Sequence, residues 1–180
     1  YICMDWRHNR ELQEAGDPVY SELKTLVVWS KTNGGMGSFY RSQHELIFLY
    51  KAGTAPHINN INLGRHGRNR TNVWTYPGAN GFGATRMEDL ADHPTVKPVA
   101  LVADAIRDCT PRKGLVLDPF AGSGVTLLAA ERTGRTAAAI EIEPAFVDVA
   151  IRRWQKLTKK AATLFENGRT FDEIAASGRD

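Results

Sequence analysis

The stretch LVLDPFAGSGVTL, residues 115–127, decides the fold. Its three leading apolar residues are typical of a buried strand, the Asp-Pro-Phe corner ends that strand, and two glycines lead into an apolar helix. A strand, a glycine turn and a helix in this order often bind a nucleotide-like ligand at the start of the helix. The sequence therefore predicts an α/β domain with a ligand site at this turn.

The segments around this stretch predict further strand–helix units. Residues 99–109 carry apolar side chains at helical spacing, and residues 136–142 predict a second strand that is followed by a last long helix. Asp17-Pro18 predicts the start of a short helix through Lys24. Because successive strand–helix units are joined by right-handed crossovers, we expect a mostly parallel sheet within a three-layer fold. Upstream strands of the same sheet are predicted at YICM (1–4), TLVVW (25–29) and HELIFLY (44–50).

The composition is that of one ordinary α/β domain. Of the 180 residues, 42% are hydrophobic and 24% are charged, and the net charge of +3 permits a polyanionic partner without requiring one. Cys3 and Cys109 are too few for a disulfide framework or a structural zinc site, and no apolar run approaches the roughly 20 residues of a membrane span. We therefore expect a cytoplasmic protein with no metal and no membrane partner.

The glycine turn departs from two common phosphate-binding patterns. Leu127 stands at the third glycine of G-x-G-x-x-G, and no lysine follows at the spacing of G-x-x-x-x-G-K-S/T. Glu141, at the end of the next predicted strand, stands nineteen residues after Gly122, close to the spacing of a carboxylate that binds ribose hydroxyls. The predicted ligand has a ribose diol and no obligatory pyrophosphate, as S-adenosylmethionine does. A turn that serves packing alone is the alternative.

Three motifs in this order and spacing resemble those of the amino-group DNA methyltransferases: HPTVKP (93–98), LDPFAGSG (117–124) and AIEIEPAF (139–146). The resemblance is to the circularly permuted subclass, in which the cofactor-binding motifs follow the catalytic motif. It implies a Rossmann-like S-adenosylmethionine-dependent methyltransferase fold over residues 1–158. It further implies a DNA-facing target-recognition region at 53–92, a cofactor-binding part at 93–146, and a polar C-terminal tail at 159–180.

The resemblance also implies which residues bind S-adenosylmethionine. Glu141 would accept hydrogen bonds from the ribose hydroxyls, whereas Glu143 is explained by helix capping beside Pro144. A side chain in place of Gly122 or Gly124 would occupy the space of the ligand. The implied cofactor-binding set is Asp118, Phe120, Gly122, Ser123, Gly124, Glu141, Thr95, Lys97 and Pro98.

The catalytic motif of this family is absent from the sequence. The family binds the amine of a flipped base with D/S/N-P-P-Y/F, whose aromatic residue stacks on that base. Asp118-Pro119-Phe120 belongs to the glycine turn, and Asp17-Pro18-Val19-Tyr20 lacks the second proline. We therefore predict no catalytic residue in this chain and expect the motif upstream of Tyr1. The chain is interpreted as the C-terminal part of a methyltransferase whose upstream strands are missing.

Residues 53–92 have the composition of a nucleic-acid contact. They lack apolar periodicity, and from Lys51 to Met87 the chain carries five lysines or arginines and no acid. Positive charge without acids in a long loop is typical of DNA binding. We predict contact with double-stranded DNA, with Trp74 stacking or wedging and Lys31 near the flipped base. The predicted DNA-binding set is Arg65, Arg68, Arg70, Arg86, Trp74 and Lys31.

The sequence thus predicts a site-specific DNA methyltransferase of bacterial or phage origin that serves restriction-modification or genome marking. Adenine N6 is favoured over cytosine N4 as the methylated amine. Two alternatives stay open. A dinucleotide-dependent oxidoreductase would use the same turn, although Leu127 and HPTVKP argue against it, and a non-catalytic cofactor- or DNA-binding remnant is compatible with the absent motif.

Overall fold

The structure is a computed structural model that describes residues 1–78 and 97–178. The described strands are β1 (Ile2–Met4), β2 (Glu22–Ser30), β3 (His44–Lys51), β4 (Val73–Thr75), β5 (Leu115–Asp118) and β6 (Thr136–Ala139). The described α-helices are α1 (Asn9–Gly16), α2 (Val99–Cys109), α3 (Val125–Thr133), α4 (Pro144–Thr158) and α5 (Phe171–Ser177). None of the helices in these ranges is long and apolar enough to cross a bilayer.

The strands form two sheets. In the first, the order is β1-β3-β2-β4, with β3 antiparallel to both neighbours and β2 parallel to β4. In the second, β5 and β6 pair in parallel from Leu115–Thr136 to Asp118–Ala139. The predicted α/β class is confirmed. The expectation of mostly parallel strands is wrong for the first sheet, because β3 returns antiparallel after the loop that follows β2.

Helix α2 packs against both sheets and connects their cores. Leu101 and Ala105 lie in one buried cluster with side chains of β2, β3 and β4, among them Trp29, which is 2% exposed. Ala103 and Ile106, on another side of the helix, lie in a second cluster with small residues of α3. Apolar burial on two sides of one helix fixes its position relative to both sheets.

The carboxyl ends of β1, β2 and β4 lie at one edge of the first sheet, because these three strands run in the same direction. In the second sheet, β5 and β6 likewise end together, at Asp118 and Ala139. Loops that follow the carboxyl ends of parallel strands form the ligand sites of open α/β folds. The glycine turn follows β5 at such an end.

Two local predictions are wrong. The first helix spans Asn9–Gly16 and ends where a helix start was predicted, with the Asp17 amide donating to the Gln13 carbonyl at 2.9 Å. Pro18 therefore follows a helix end, where it cannot continue the helix. The second is strand β6, which stops at Ala139, three residues before the predicted end, because Ile140 and Glu141 turn toward the glycine loop.

The predicted polar tail has structure of its own in its described part, residues 159–178. Thr163 and Thr170 form an isolated bridge, and helix α5 follows with Thr170 as its N-cap. The tail contacts α4, since the Ala162 amide donates to the Gln155 side chain at 2.7 Å and Arg152 lies 5.3 Å from the Phe171 ring.

Candidate functional site

The glycine turn, residues 119–124, connects β5 to α3 through two left-handed residues. The φ angles are 50° at Gly122 and 78° at Gly124, a region that L side chains rarely adopt. The Gly124 amide donates to the Ala121 carbonyl at 2.9 Å. These backbone angles favour glycine at both positions.

Backbone hydrogen bonds fasten the turn to the end of β6. The Ile140 amide donates to the Asp118 carbonyl at 2.9 Å, and the Ala121 amide donates to the Ile140 carbonyl at 3.0 Å. The two predicted parts of the ligand site, the turn and the acidic strand end, are therefore neighbours.

Glu141 is the acidic group of this site. Its Oε2 accepts a hydrogen bond from the Gly122 amide at 2.7 Å, and its Oε1 accepts one from the Glu143 amide at 3.0 Å. Backbone donors thus hold a partly buried carboxylate beside the glycine turn.

Asp118 stabilises the first half of the turn. Its Oδ1 accepts the Phe120 amide at 3.0 Å and its Oδ2 accepts the Thr126 hydroxyl. This pair of contacts ties the end of β5 to the first turn of α3. The Phe120 side chain is 88% exposed, so its ring is available to a ligand.

Ser123 and Gly124 face helix α4. Ser123 is 3% exposed, and its hydroxyl and carbonyl oxygens both accept from Arg153. A Cβ added at Gly124 would lie 2.6 Å from the Ala150 Cβ. The expectation that a side chain at position 124 would occupy ligand space is therefore wrong; it would collide with α4.

Lys97 and Pro98 lie at the start of α2, where Pro98 is the N-cap residue. Burial raises the pKa of the Cys3 thiol on β1, and among the nearby charges Lys97 lowers that pKa while Asp118 raises it. Thr95 and Arg86, which were also predicted to bind, lie outside the described residues.

Arg65 and Arg68 are exposed on a short, tightly turned loop. The loop contains left-handed residues at Asn62, Gly64, His66 and Gly67. Asn60, just before it, donates from its side chain to the carbonyls of Arg107 and Thr110 at 2.8 and 2.9 Å. The loop is thereby fastened to the C-terminal end of α2, while its two arginines extend into solvent.

The structure corrects the assignment of Arg70 and Trp74 to DNA. Trp74 is 6% exposed in the core, and the Arg70 guanidinium stacks on its ring at 4.4 Å. Arg70 also forms an ion pair of 2.9 Å with Asp108. Burial raises the pKa of Asp108, while the charge of Arg70 lowers it. Both predicted DNA residues therefore stabilise the contact between their loop and α2.

Lys31 is also engaged within the fold. Its ammonium lies 2.6 Å from Glu45 on β3 and 4.9 Å from the ring of the buried Trp29. Three-quarters of its side chain is buried, at 25% exposure. The predicted approach of Lys31 to a base would require this pair to separate, so the structure argues against that role.

Sequence reasoning missed two side chains of the site, Thr126 and Arg153. Thr126 is the polar residue in an otherwise apolar first turn of α3. Arg153 follows Ala150 by three residues, so a charged residue lies on the helix side that packs against the turn. A polar residue at an apolar helical position was the available signal in both cases. Among the described residues, no group of three or more acidic, histidine or cysteine side chains is arranged to hold a metal ion.

Comparisons with known proteins identify relatives of this chain. Residues 12–152 match the family described as DNA methylase, in the N6/N4 class. The chain is 36% identical to the type II methyltransferase M.ScaI of Streptomyces caespitosus over 55% of its own length and 32% of the relative's. It is 28% identical to the type II methyltransferase M2.MboI of Moraxella bovis over 76% of its length and 51% of the relative's. The chain thus spans about a third of the first of these curated relatives and about half of the second.

The fold is similar to that of a solved methyltransferase. The crystal structure of an M1.HpyAVI–SAM complex superposes with a TM-score of 0.66 at 23% identity, covering 84% of this chain and 72% of the other. The predicted Rossmann-like methyltransferase fold is thereby confirmed.

Proposed function

Because the chain belongs to the N6/N4 DNA methylase family, we propose that it supplies the donor-binding part of an enzyme that methylates an exocyclic base amine in DNA. The donor is S-adenosylmethionine, which supplies an activated methyl group when bound. Membership of this family removes the oxidoreductase alternative. The activity experiment described below tests the non-catalytic alternative.

One observation carries the donor site: the Glu141 carboxylate is held against the Gly122 amide at 2.7 Å, at the carboxyl end of β5. The residues present fit an adenosyl donor. Glu141 presents a carboxylate beside the turn, the group that accepts hydrogen bonds from ribose hydroxyls, and glycine at position 122 leaves the turn without a side chain. Phe120 offers an exposed ring, and Lys97 at the start of α2 offers a positive charge for the carboxylate of the donor.

Calorimetric titration with S-adenosylmethionine tests this site. We expect the chain to bind the donor, and Glu141→Gln to weaken binding about 10- to 100-fold, because hydrogen bonds to a charged group contribute roughly 1.5–3 kcal/mol. Glu143→Gln is the matched control, since Glu143 caps α4 by accepting from the Ala145 amide. Equal affinity of the Glu141 variant and the unaltered chain would contradict the site. NAD in place of the donor should not bind.

We propose double-stranded DNA as the partner of the Arg65–Arg68 loop. The support is charge and exposure: both arginines lie on a loop that Asn60 and Arg70 fasten to α2. Because the loop backbone is already ordered, DNA contact by these arginines would cost mainly the conformational entropy of their side chains.

The salt dependence of DNA affinity tests this partner. Each phosphate contact contributes about 0.9 to the slope of log affinity against log salt concentration, so replacing both Arg65 and Arg68 by alanine should reduce the slope by about 1.8. Arg132→Ala, an exposed arginine on α3, is the control and should have a smaller effect. An unchanged slope in the double variant would contradict the proposal.

The methylated amine is proposed to be adenine N6 ahead of cytosine N4, in a bacterial restriction-modification or genome-marking setting. The bacterial type II relatives support the setting.

Because the sequence contains no D/S/N-P-P-Y/F motif, we expect the chain alone to bind the donor without transferring its methyl group. Mass spectrometry of nucleosides from DNA incubated with the chain and labelled donor checks this. Labelled N6-methyladenine or N4-methylcytosine would contradict the expected inactivity and identify the base.

A further inference from the structure

Helix α4 contacts the glycine turn at two positions on one side of the helix. Ala150 lies against Gly124, and Arg153, three residues later, reaches Ser123. Residues three apart share a helix face, so both contacts come from one surface of α4. The turn is therefore held from the helix side as well as from the β6 side.

The contact of Arg153 with Ser123 is a double hydrogen bond from one nitrogen. The Arg153 Nη1 lies 2.9 Å from the Ser123 carbonyl oxygen and 2.7 Å from its Oγ. Ser123 is 3% exposed, so these bonds form away from bulk water. Hydrogen bonds from a charged donor at such distances are among the stronger ones in proteins.

The conformation of the turn needs such support. Ser123 stands between two left-handed glycines, and glycine loses more conformational freedom on folding than any other residue. A Gly-Ser-Gly segment without fixed contacts would populate several backbone conformations, of which one presents the Gly122 amide to Glu141. Binding a ligand to a segment that is already ordered avoids that entropic cost.

We propose that Arg153 is a positioning residue for the methyl donor: through Ser123 it holds the glycine turn in its donor-binding conformation. The proposal rests on the proposed function, because it presupposes that the turn binds S-adenosylmethionine. Arg153 acts through the main chain and side chain of Ser123. Ser123, assigned to the donor from sequence, then serves the turn instead.

A series of variants with graded loss of the two bonds tests this role. Arg153→Met keeps the aliphatic stem and removes both bonds, and should weaken donor binding about tenfold by calorimetry. Ser123→Ala removes one acceptor and should weaken donor binding about threefold. Arg153→Lys keeps a charged donor and should weaken donor binding less than Arg153→Met does. Combining Ser123→Ala with Arg153→Met should weaken binding no further than Arg153→Met alone, because the two residues share the interaction.

The neighbouring Arg152 provides the matched control. It lies on the same helix, is 55% exposed at its side chain, and pairs with Asp148 at 3.2 Å. Arg152→Met should leave donor affinity within twofold of the unaltered chain. Hydrogen exchange of the Gly122 amide, measured well below the melting temperature without donor, should accelerate in Arg153→Met and not in Arg152→Met.

The outcomes separate this inference from the proposed function. Failure of the unaltered chain to bind S-adenosylmethionine would overturn both. Binding by the unaltered chain with unchanged affinity in Arg153→Met and Ser123→Ala would overturn the positioning role alone, even if Arg153→Met lowers the melting temperature. Should Arg153→Met fail to fold, the donor affinities of Ser123→Ala and Arg153→Lys decide the question. Weaker donor binding supports the positioning role, and unchanged affinity in both variants overturns it.

Discussion

At the residue scale, two glycines with similar backbones are required for different reasons. Gly124 and Gly168 have φ angles of 78° and 72°. A Cβ at position 124 would lie 2.6 Å from Ala150, whereas a Cβ at position 168 would meet nothing within 4 Å. Position 124 therefore combines backbone strain with a steric conflict, and position 168 has strain alone.

The pair Gly124→Ala and Gly168→Ala tests this distinction. The left-handed backbone should cost about 1–2 kcal/mol at position 168. At position 124 the collision with α4 should add about 1–3 kcal/mol. Urea unfolding of both variants measures the difference. Equal loss of stability would show that α4 moves aside without cost.

A second residue-scale prediction concerns Arg70, which the structure assigns to packing. Arg70→Met leaves the partly buried Asp108 without its ion pair and should destabilise the fold by about 1–3 kcal/mol. Arg65→Met, on the exposed loop, should change stability by less than about 0.5 kcal/mol. Denaturant titration compares the two variants. A neutral Arg70→Met would return this arginine to the DNA-contact set.

At the scale of elements, helix α5 is stabilised by a reciprocal cap. The Thr170 hydroxyl accepts the Glu173 amide at 3.2 Å, and Glu173 Oε2 accepts the Thr170 amide at 2.7 Å. The Thr170 hydroxyl also donates to Glu173 Oε2 at 2.8 Å, and the two bonds that this carboxylate accepts lower the pKa of Glu173, the one from the Thr170 amide most of all. A pKa lowered by folding means that the carboxylate stabilises the helix above the ordinary glutamate range. That stabilisation is lost as the pH falls through the lowered pKa.

The acid dependence of α5 follows from this cap. Carbon chemical shifts of residues 171–177 should report full helix near neutral pH and loss of helix as the pH falls below the ordinary glutamate pKa. Glu173→Gln, which keeps a capping side chain but does not titrate, should flatten the acid transition. A transition of equal size in that variant would assign it to other carboxylates.

The elements that sequence reasoning located correctly have strong local signals. Strands β2 and β3 contain the apolar runs LVVW (26–29) and LIFLY (46–50), although β2 begins at Glu22, inside the helix predicted through Lys24, and α4 begins at the proline that predicted it. The first helix was misplaced because Asp-Pro is compatible with a helix start and with the residues after a helix end. Backbone bonds that close the first helix, such as that from the Asp17 amide to the Gln13 carbonyl, separate the two. The early end of β6 likewise depends on backbone bonds to a loop distant in sequence.

At the candidate site, too, contacts between residues distant in sequence could not be predicted. The glycine turn and Glu141 were located from spacing, because local backbone geometry dictates glycine and an acidic strand end. The roles of Arg70, Trp74 and Arg153 depend on partners 30 or more residues away, at Asp108 and Ser123 among others. The sequence shows that an arginine is present, but it does not indicate whether the arginine side chain contacts solvent, a carboxylate or a main-chain carbonyl.

At the scale of the whole molecule, α2 connects the proposed donor site to the Arg65–Arg68 loop. Its Ala103 and Ile106 pack against α3, the helix that follows the glycine turn, and its C-terminal end holds Asn60 and Arg70 on either side of that loop. The proposed donor site and the proposed DNA contact therefore depend on one packed helix. This arrangement places the two functions on a common rigid element.

Nuclear magnetic resonance of the labelled chain with added S-adenosylmethionine tests the central claim most directly. The account predicts saturable shifts concentrated in the amides of residues 118–124 and 140–143, with Gly122 and Glu141 among the largest. Helix α5 and the Thr163–Thr170 bridge before it should not shift. Saturable shifts confined to regions other than the turn, or no shifts at millimolar donor, would contradict it.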